Sequence, residues 1–131
     1  MYTLVYKSLL IPSTTIMHLD AIQILSSLQN RKFRIRGCLY VSRPYVLQIL
    51  QGPQDDVDRL YQNILLDRRH YSVTLMFLGE YKERVFAQWS MKKIYITENK
   101  LRTRFVELVK NNHNQDLITD IVELALISPD W

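Results

Sequence analysis

The sequence predicts an α+β protein built on a ferredoxin-like sheet, and three observations carry this prediction. The elements follow the order β-α-β-β-α-β-β. The strand segments alternate apolar and polar residues or form short apolar runs between turn residues, whereas the helical segments repeat apolar residues every three or four positions. We therefore expect a mostly antiparallel sheet with two helices on one face and a C-terminal helical pair on the other.

The first half of the chain supplies a strand, a helix and a hairpin. Tyr2, Leu4 and Tyr6 alternate with polar or outward positions, which is typical of a strand over residues 2–8. A polar loop then precedes a helix from about Met17 to Leu28, which is apolar at three- and four-residue spacing. The hairpin is predicted over residues 35–42 and 45–51, with Arg43-Pro44 in its turn.

The second half begins with a helix after Gly52-Pro53, because proline suits a first helical turn and acidic residues follow it. Its apolar stripe consists of Val57, Leu60, Tyr61 and Ile64. Strands are predicted over residues 72–79 and 85–94. Two short helices follow Ile96, with apolar faces formed by Leu101, Phe105 and Leu108 and by Leu117, Ile121 and Leu124.

Size and composition limit the class of protein. The 131 residues favour one unit with a core that needs neither disulfide nor metal, and Cys38 is the sole cysteine. We expect no signal peptide and no membrane span, and hence a cytoplasmic location. The net charge of +4 permits an anionic ligand, but the absence of an aromatic stacking motif argues against a nucleic-acid partner.

Five residues of the first helix and of the first and third strands are candidates for ligand contacts. Ile22, Ser26 and Asn30 recur every four positions, so they share one helix face. One interpretation is a binding face for a flat ligand with an apolar body and polar edges. The alternative is a helix whose C-terminal end is exposed to solvent. Gln48 shares a strand face with apolar residues, and a buried amide needs partners from a ligand or from the backbone. Tyr6 is either a core tyrosine or a second member of such a site.

Other residues carry weaker signals. The basic segment from Arg31 to Arg36 is either a solvated loop or a contact for phosphates. Ser8, His70 and Asp67 are a conceivable catalytic triad, but no sequence motif supports it. We therefore expect no enzyme activity and no metal site.

A series of five short motifs resembles the BLUF family of flavin-binding blue-light sensors over residues 2–94. No single motif is specific, but all five occur in the family's order and at its intervals. They are Leu4-Val5-Tyr6-Lys7-Ser8, Ser26–Asn30 followed by Ile35–Tyr40, Leu47–Gly52, Asp67–His70, and Phe86–Met91.

The resemblance implies a flavin of the FAD type, with FMN and riboflavin as alternatives, held noncovalently between the two helices. It implies that Tyr6 is an electron donor, that Gln48 lies between Tyr6 and the flavin ring, and that light rearranges their hydrogen bonds. By position it assigns the remaining flavin contacts to Ile22, Ser26, Asn30, Ile64, Asp67 and His70.

We expect residues 1–94 to form the photosensor and residues 95–131 to form a helical extension that packs on the sheet. Trp89 and Met91 share a face of the strand that leads into this extension, so they are the expected signal-output residues. Output is expected to pass to an unidentified protein partner or through self-association into a homo-oligomer.

Four positions depart from the family pattern. They are Arg34, Arg36, Gln51 and Asn63, where the family usually has a small residue, threonine, glutamate and arginine. The loss of the arginine at position 63 would weaken dinucleotide binding unless Arg31 or Lys32 replaces its charge. The alternative hypothesis is a degenerate BLUF scaffold that acts as a protein-interaction module and binds flavin weakly or not at all.

Overall fold

The computed structural model describes residues 1–14, 34–86, 91–110 and 117–127. The helix predicted near residues 17–28 lies outside these ranges, together with Ile22, Ser26, Asn30, Arg31, Lys32 and Trp89. The described elements are β1 (Tyr2–Leu10), β2 (Arg36–Ser42), β3 (Tyr45–Gly52), α1 (Gln54–Leu66), β4 (His70–Glu80), β5 (Met91–Tyr95), α2 (Asn99–Lys110) and α3 (Leu117–Ile127).

The five strands form one mixed sheet in the order β4-β1-β3-β2-β5. The pairs β1–β3, β1–β4 and β2–β3 are antiparallel, whereas β2 and β5 are parallel. The first four strands thus have the ferredoxin-like order, and the predicted fold class is confirmed.

Strand register determines which side chains meet. In β1 and β3 the Cα atoms of Tyr6 and Gln48 are direct partners, so both side chains project to the same face. The pairing of β1 with β4 is less regular, because the register shifts between Val5 and Tyr6 and again between Lys7 and Leu9.

Each face of the sheet has its own apolar core. On one face Val57 and Leu60 of α1 pack with residues such as Leu4 and Leu50. On the other face α2 and α3 pack against the sheet, and the Tyr40 hydroxyl donates a hydrogen bond to the Ile121 carbonyl at 2.8 Å. The predicted position of the C-terminal helical pair on the opposite face is therefore confirmed.

The last predicted strand began too early. Val85 and Phe86 precede β5 and are not part of the sheet; residues 87–90 lie outside the described ranges. Side chains bind the backbone here in place of a neighbouring strand, since the Val85 N–H donates to Gln51 Oε1 at 3.0 Å and Arg36 Nη1 donates to the Phe86 carbonyl at 2.7 Å. Arg36 is only 2% exposed and is the first residue of β2, so the solvated-loop alternative for the basic segment does not hold for this residue.

The bounds of the other elements differ from the predicted bounds by one or two residues. β1 continues to Leu10, β4 covers residues 70–80, and Pro53 precedes α1 as its N-terminal cap position. Cys38 is fully buried, and burial raises the pKa of its thiol to about 12, so it is an unreactive residue of the core. None of the three described helices combines the length and hydrophobicity needed to cross a lipid bilayer.

Candidate functional site

The centre of the candidate site is the pair Tyr6 and Gln48. The Tyr6 hydroxyl donates a hydrogen bond to Gln48 Oε1, and both side chains are buried. Because the amide oxygen is turned towards Tyr6, the amide nitrogen, which can only donate, forms the other end of the group. The pair therefore presents a phenol, an acceptor and a donor in sequence on one face of the sheet.

Burial holds the Tyr6 phenol in its protonated form. Desolvation raises the pKa of the hydroxyl far above its usual value, and the nearby negative charge of Asp67 and the Tyr61 phenol raise it further. The proton therefore stays on Tyr6 across the physiological pH range.

Two aromatic rings flank Tyr6. The Tyr61 ring of α1 lies with its centroid 5.9 Å away at a tilt of 48°, and the His70 ring lies 6.3 Å away in an edge-on arrangement. These contacts place Tyr6 between the sheet, α1 and the start of β4.

The turn between α1 and β4 is organised by Asp67. Its Oδ1 accepts hydrogen bonds from Arg69 N at 3.0 Å and Arg69 Nε at 2.9 Å, and its Oδ2 accepts one from Arg69 Nη2 at 2.9 Å. Burial opposes ionisation of Asp67, but the hydrogen bonds from Arg69 and its positive charge outweigh it, so the net effect lowers the pKa of the carboxyl. Asp67 is thus an anion held in place by Arg69.

His70 connects three elements of the site. Its Nδ1 lies 2.8 Å from Ser8 Oγ and its Nε2 lies 2.8 Å from the Ile64 carbonyl oxygen. Ser8 and His70 therefore meet, but Asp67 binds Arg69 and the second ring nitrogen faces a carbonyl. The expectation that these residues do not form a catalytic triad agrees with this geometry.

The structure brings together the described members of the predicted site: Tyr6, Gln48, Ile64, Asp67 and His70. Ile64 is partly buried in the same apolar cluster as Tyr6. Met91 is the first residue of β5, where its Cα pairs with that of Gly37. Trp89 and the three residues predicted on the first helix lie outside the described ranges.

The four departures from the family pattern are either directed to the opposite face of the sheet from Tyr6 and Gln48 or exposed. Arg36 and Gln51 are cross-strand partners whose side chains serve the opposite face of the sheet, as their bonds to Phe86 and Val85 indicate. Arg34 and Asn63 are exposed.

Within the described residues there is also no cluster of His, Cys, Asp and Glu suited to a metal ion.

Sequence reasoning did not predict two polar contacts of β1, although it considered Ser8 and His70 as members of a catalytic triad without a supporting motif. The Ser8–His70 contact joins residues 62 positions apart, and Lys7 Nζ donates to the Val109 carbonyl of α2 at 2.9 Å. Strand alternation could have placed Ser8 on the same face as Tyr6 and Lys7 on the other. It carries no information about which distant residue each would meet.

The family comparison decides the class of this protein. The sequence model of the BLUF family, described as sensors of blue-light using FAD, matches residues 1–92 of the 131. The chain belongs to the BLUF family. BLUF proteins are blue-light sensors that use a flavin, and this match does not favour the degenerate-scaffold alternative.

Curated BLUF relatives are mostly much longer proteins. Photoactivated adenylate cyclase subunit beta of Euglena longa is 31% identical over 72 residues, which are 55% of this chain and 8% of that protein. The blue light- and temperature-regulated antirepressor BluF of Escherichia coli K12 is 23% identical over 90 residues, 69% of this chain and 22% of the relative. The chain thus spans less than a quarter of either relative.

Solved BLUF structures match over almost the whole chain. The photo-activated state of BlsA superposes with a TM-score of 0.81 at 27% identity, covering 97% of this chain and 95% of BlsA. The dark state of BlrB superposes with a TM-score of 0.80, covering 95% and 93%, but at 22% identity it supports the fold alone. Both matches extend beyond the family model into the C-terminal helices.

Proposed function

We propose that this BLUF protein binds FAD noncovalently and signals through a light-driven rearrangement of the hydrogen bonds among Tyr6, Gln48 and the flavin. The observation that carries the proposal is the hydrogen bond from the buried Tyr6 hydroxyl to the buried Gln48 amide. The signal would pass to a protein partner or to a homo-oligomer interface, and the chain itself would catalyse no reaction.

The described residues suit a flavin. A flavin ring has carbonyl and imine acceptors along one edge and an apolar dimethylbenzene end. The amide nitrogen of Gln48 can donate to such acceptors, while the partly buried side chain of Ile64 offers apolar contact. We propose that Asn30, Ser26 and Ile22 complete the binding site, and that Asp67 and His70 hold the turn beside it.

A bound flavin would absorb blue light, and the excited flavin would be a strong oxidant. Tyr6 is the proposed electron donor to the excited flavin, because its electron-rich phenol is buried at the centre of the site. The Tyr6 proton can move along the existing hydrogen bond to Gln48 Oε1 when the phenol gives up an electron. When the electron and the proton return to Tyr6, only the orientation or tautomer of the Gln48 amide has changed, and this change stores the signal.

The first prediction concerns the cofactor. The chain, purified under native conditions, is expected to be yellow, and denaturation should release the flavin intact because no residue forms a covalent bond to it. Chromatography of the released compound identifies it, and we expect FAD. A colourless protein that also fails to take up added FAD, FMN or riboflavin would contradict the proposed function.

Output through the C-terminal helices is the second part of the proposal. Strand β1, which carries Tyr6, also carries Lys7, and Lys7 holds the last turn of α2 through the Val109 carbonyl. Tyr40 of β2 holds α3 through the Ile121 carbonyl. A rearranged Gln48 can therefore bias the packing of these helices through these contacts, and we propose Trp89 and Met91 as further residues that pass the change to the helices.

The second prediction is light-dependent hydrogen exchange in α2 and α3. We expect faster amide exchange in residues 99–110 and 117–127 under blue light, and Met91→Ala should reduce the difference while the flavin spectrum still responds. Gln48→Leu is the matched control, because this variant should form no light-induced state and its exchange should not respond to light. Identical exchange in light and darkness would mean that the helices are a static cover over an apolar sheet face, and would contradict this output route.

A further inference from the structure

His70 bridges β1 and α1 through both of its ring nitrogens. Nε2 lies 2.8 Å from the Ile64 carbonyl oxygen, which can only accept a hydrogen bond, so Nε2 carries a proton. In the neutral ring Nδ1 is then an acceptor, and the Ser8 hydroxyl 2.8 Å away donates to it. The two contacts together select one tautomer of His70.

The bridge lies directly beside Tyr6. Ser8 follows Tyr6 by two residues and therefore lies on the same face of β1, where it is 2% exposed. The His70 ring meets the Tyr6 ring edge-on at 6.3 Å between centroids. The orientation of His70, which Ser8 fixes, thus determines one wall of the space that holds the phenol.

Backbone pairing is interrupted at the same place. The β1–β4 register passes from Lys7–Thr74 to Leu9–Tyr71, so it skips a residue of β1 and two of β4. Ser72, in the skipped part of β4, has a φ of +54°, a conformation that non-glycine residues seldom adopt. The Ser8–His70 hydrogen bond ties β1 to the start of β4 where the ladder of backbone hydrogen bonds is irregular.

The bridge also satisfies the end of α1. The last turn of α1 contains no basic residue, and the Ile64 carbonyl accepts hydrogen bonds from His70 Nε2 and from the Asp67 N–H. Carbonyls at a helix C-terminus need such outside donors. His70 therefore connects the helix that contributes Tyr61 and Ile64 to the strand that carries Tyr6.

We propose that Ser8 and His70 are positioning residues for the light reaction. The bridge Ser8–His70–Ile64 holds His70 in its Nε2–H tautomer and keeps the Tyr6 phenol directed at the Gln48 amide. This inference rests on the proposed function, in which the Tyr6–Gln48 hydrogen bond is the site of the light response.

The test compares Ser8→Ala, which removes the donor to Nδ1, with Ser8→Thr, which restores a hydroxyl. Ser42→Ala is the matched control, because Ser42 is also a buried strand serine but its hydroxyl donates to the Ile96 carbonyl on the opposite face of the sheet. Nitrogen-15 NMR of His70 in the dark gives the tautomer ratio, and the absorption spectrum gives the yield of the light-induced state. Ser8→Cys, close to serine in volume and a weak donor, replaces Ser8→Ala if that variant does not fold.

In Ser8→Ala we expect the preference for the Nε2–H tautomer to fall about fivefold, the effect of losing one ordinary hydrogen bond. The yield of the light-induced state should fall with it, Ser8→Thr should restore both, and Ser42→Ala should change neither. A wild-type tautomer ratio in Ser8→Ala overturns the proposal, and so does an altered ratio with an unchanged yield. Failure of the proposed function is recognised separately, because the unmodified chain would then show no light-induced state at all, whereas the dark tautomer ratio needs no light response.

Discussion

Gln48→Leu should leave the flavin bound and remove the light-induced red shift of its absorption. Leucine is close to glutamine in size, so the site keeps its shape, but it offers Tyr6 no acceptor and the flavin no donor. The Tyr6 hydroxyl would then be buried without the partner it has in the wild type, at a cost of about 1–3 kcal/mol in the free energy of unfolding. The photochemical loss should be complete, because the amide is the group in which the signal is stored.

Gln51→Leu is the matched control for this substitution. Gln51 is a buried glutamine of the same strand, three residues further on, and its amide bonds Thr3 Oγ1 and the Glu83 carbonyl on the other face of the sheet. We expect this variant to be destabilised and yet to show the normal red shift. Absorption spectra before and after blue light distinguish the two variants, and a normal red shift in Gln48→Leu would exclude the amide as the relay.

Tyr6→Phe should abolish the normal photocycle while the protein still folds and binds flavin. Phenylalanine fills the same space between Tyr61 and His70 but has no hydroxyl to donate to Gln48, and its ring is a much weaker electron donor. Since Tyr6 is the proposed source of both the electron and the proton, no accumulation of the red-shifted state is expected.

Tyr40→Phe provides the corresponding control. Tyr40 is a buried tyrosine of β2 whose hydroxyl donates to the Ile121 carbonyl on the opposite face. Its loss should lower the free energy of unfolding by about 1 kcal/mol and leave the red shift intact. Time-resolved and steady-state absorption of both variants tests the assignment. A red-shifted state of wild-type yield in Tyr6→Phe would require another electron donor.

The fold was largely predictable because it depends on local periodicity. Alternation placed Tyr6 and Gln48 each on an apolar strand face, and the family resemblance implied that they meet, as the register of β1 and β3 shows. The apolar spacing of α2 and α3 located the residues that cover the other face. The start of β5 was misplaced because the apolar pattern at Val85 and Phe86 is that of a strand. There, long-range bonds from Gln51 and Arg36 replace the sheet partner, and such bonds leave no periodic signal.

The candidate site was predictable only as a set of residues. The family resemblance named Asp67 and His70, but it did not indicate that Arg69 would bind the Asp67 carboxylate or that Ser8 would fix the His70 ring. Arg36 illustrates the same limit, because a charged residue at the end of a basic segment suggests a solvated position. In the structure its stem and guanidinium are buried against the backbone of a segment 50 residues away.

In the proposed function, light changes the hydrogen bonds around Gln48 without forming a covalent bond to the flavin. The most direct measurement is the absorption spectrum of the purified full chain in the dark, during blue light and after return to darkness. Blue light is expected to shift the flavin band to longer wavelength, and this shift should reverse fully in the dark. A spectrum that does not change, or a band that bleaches as it would on formation of a cysteine adduct, would contradict it.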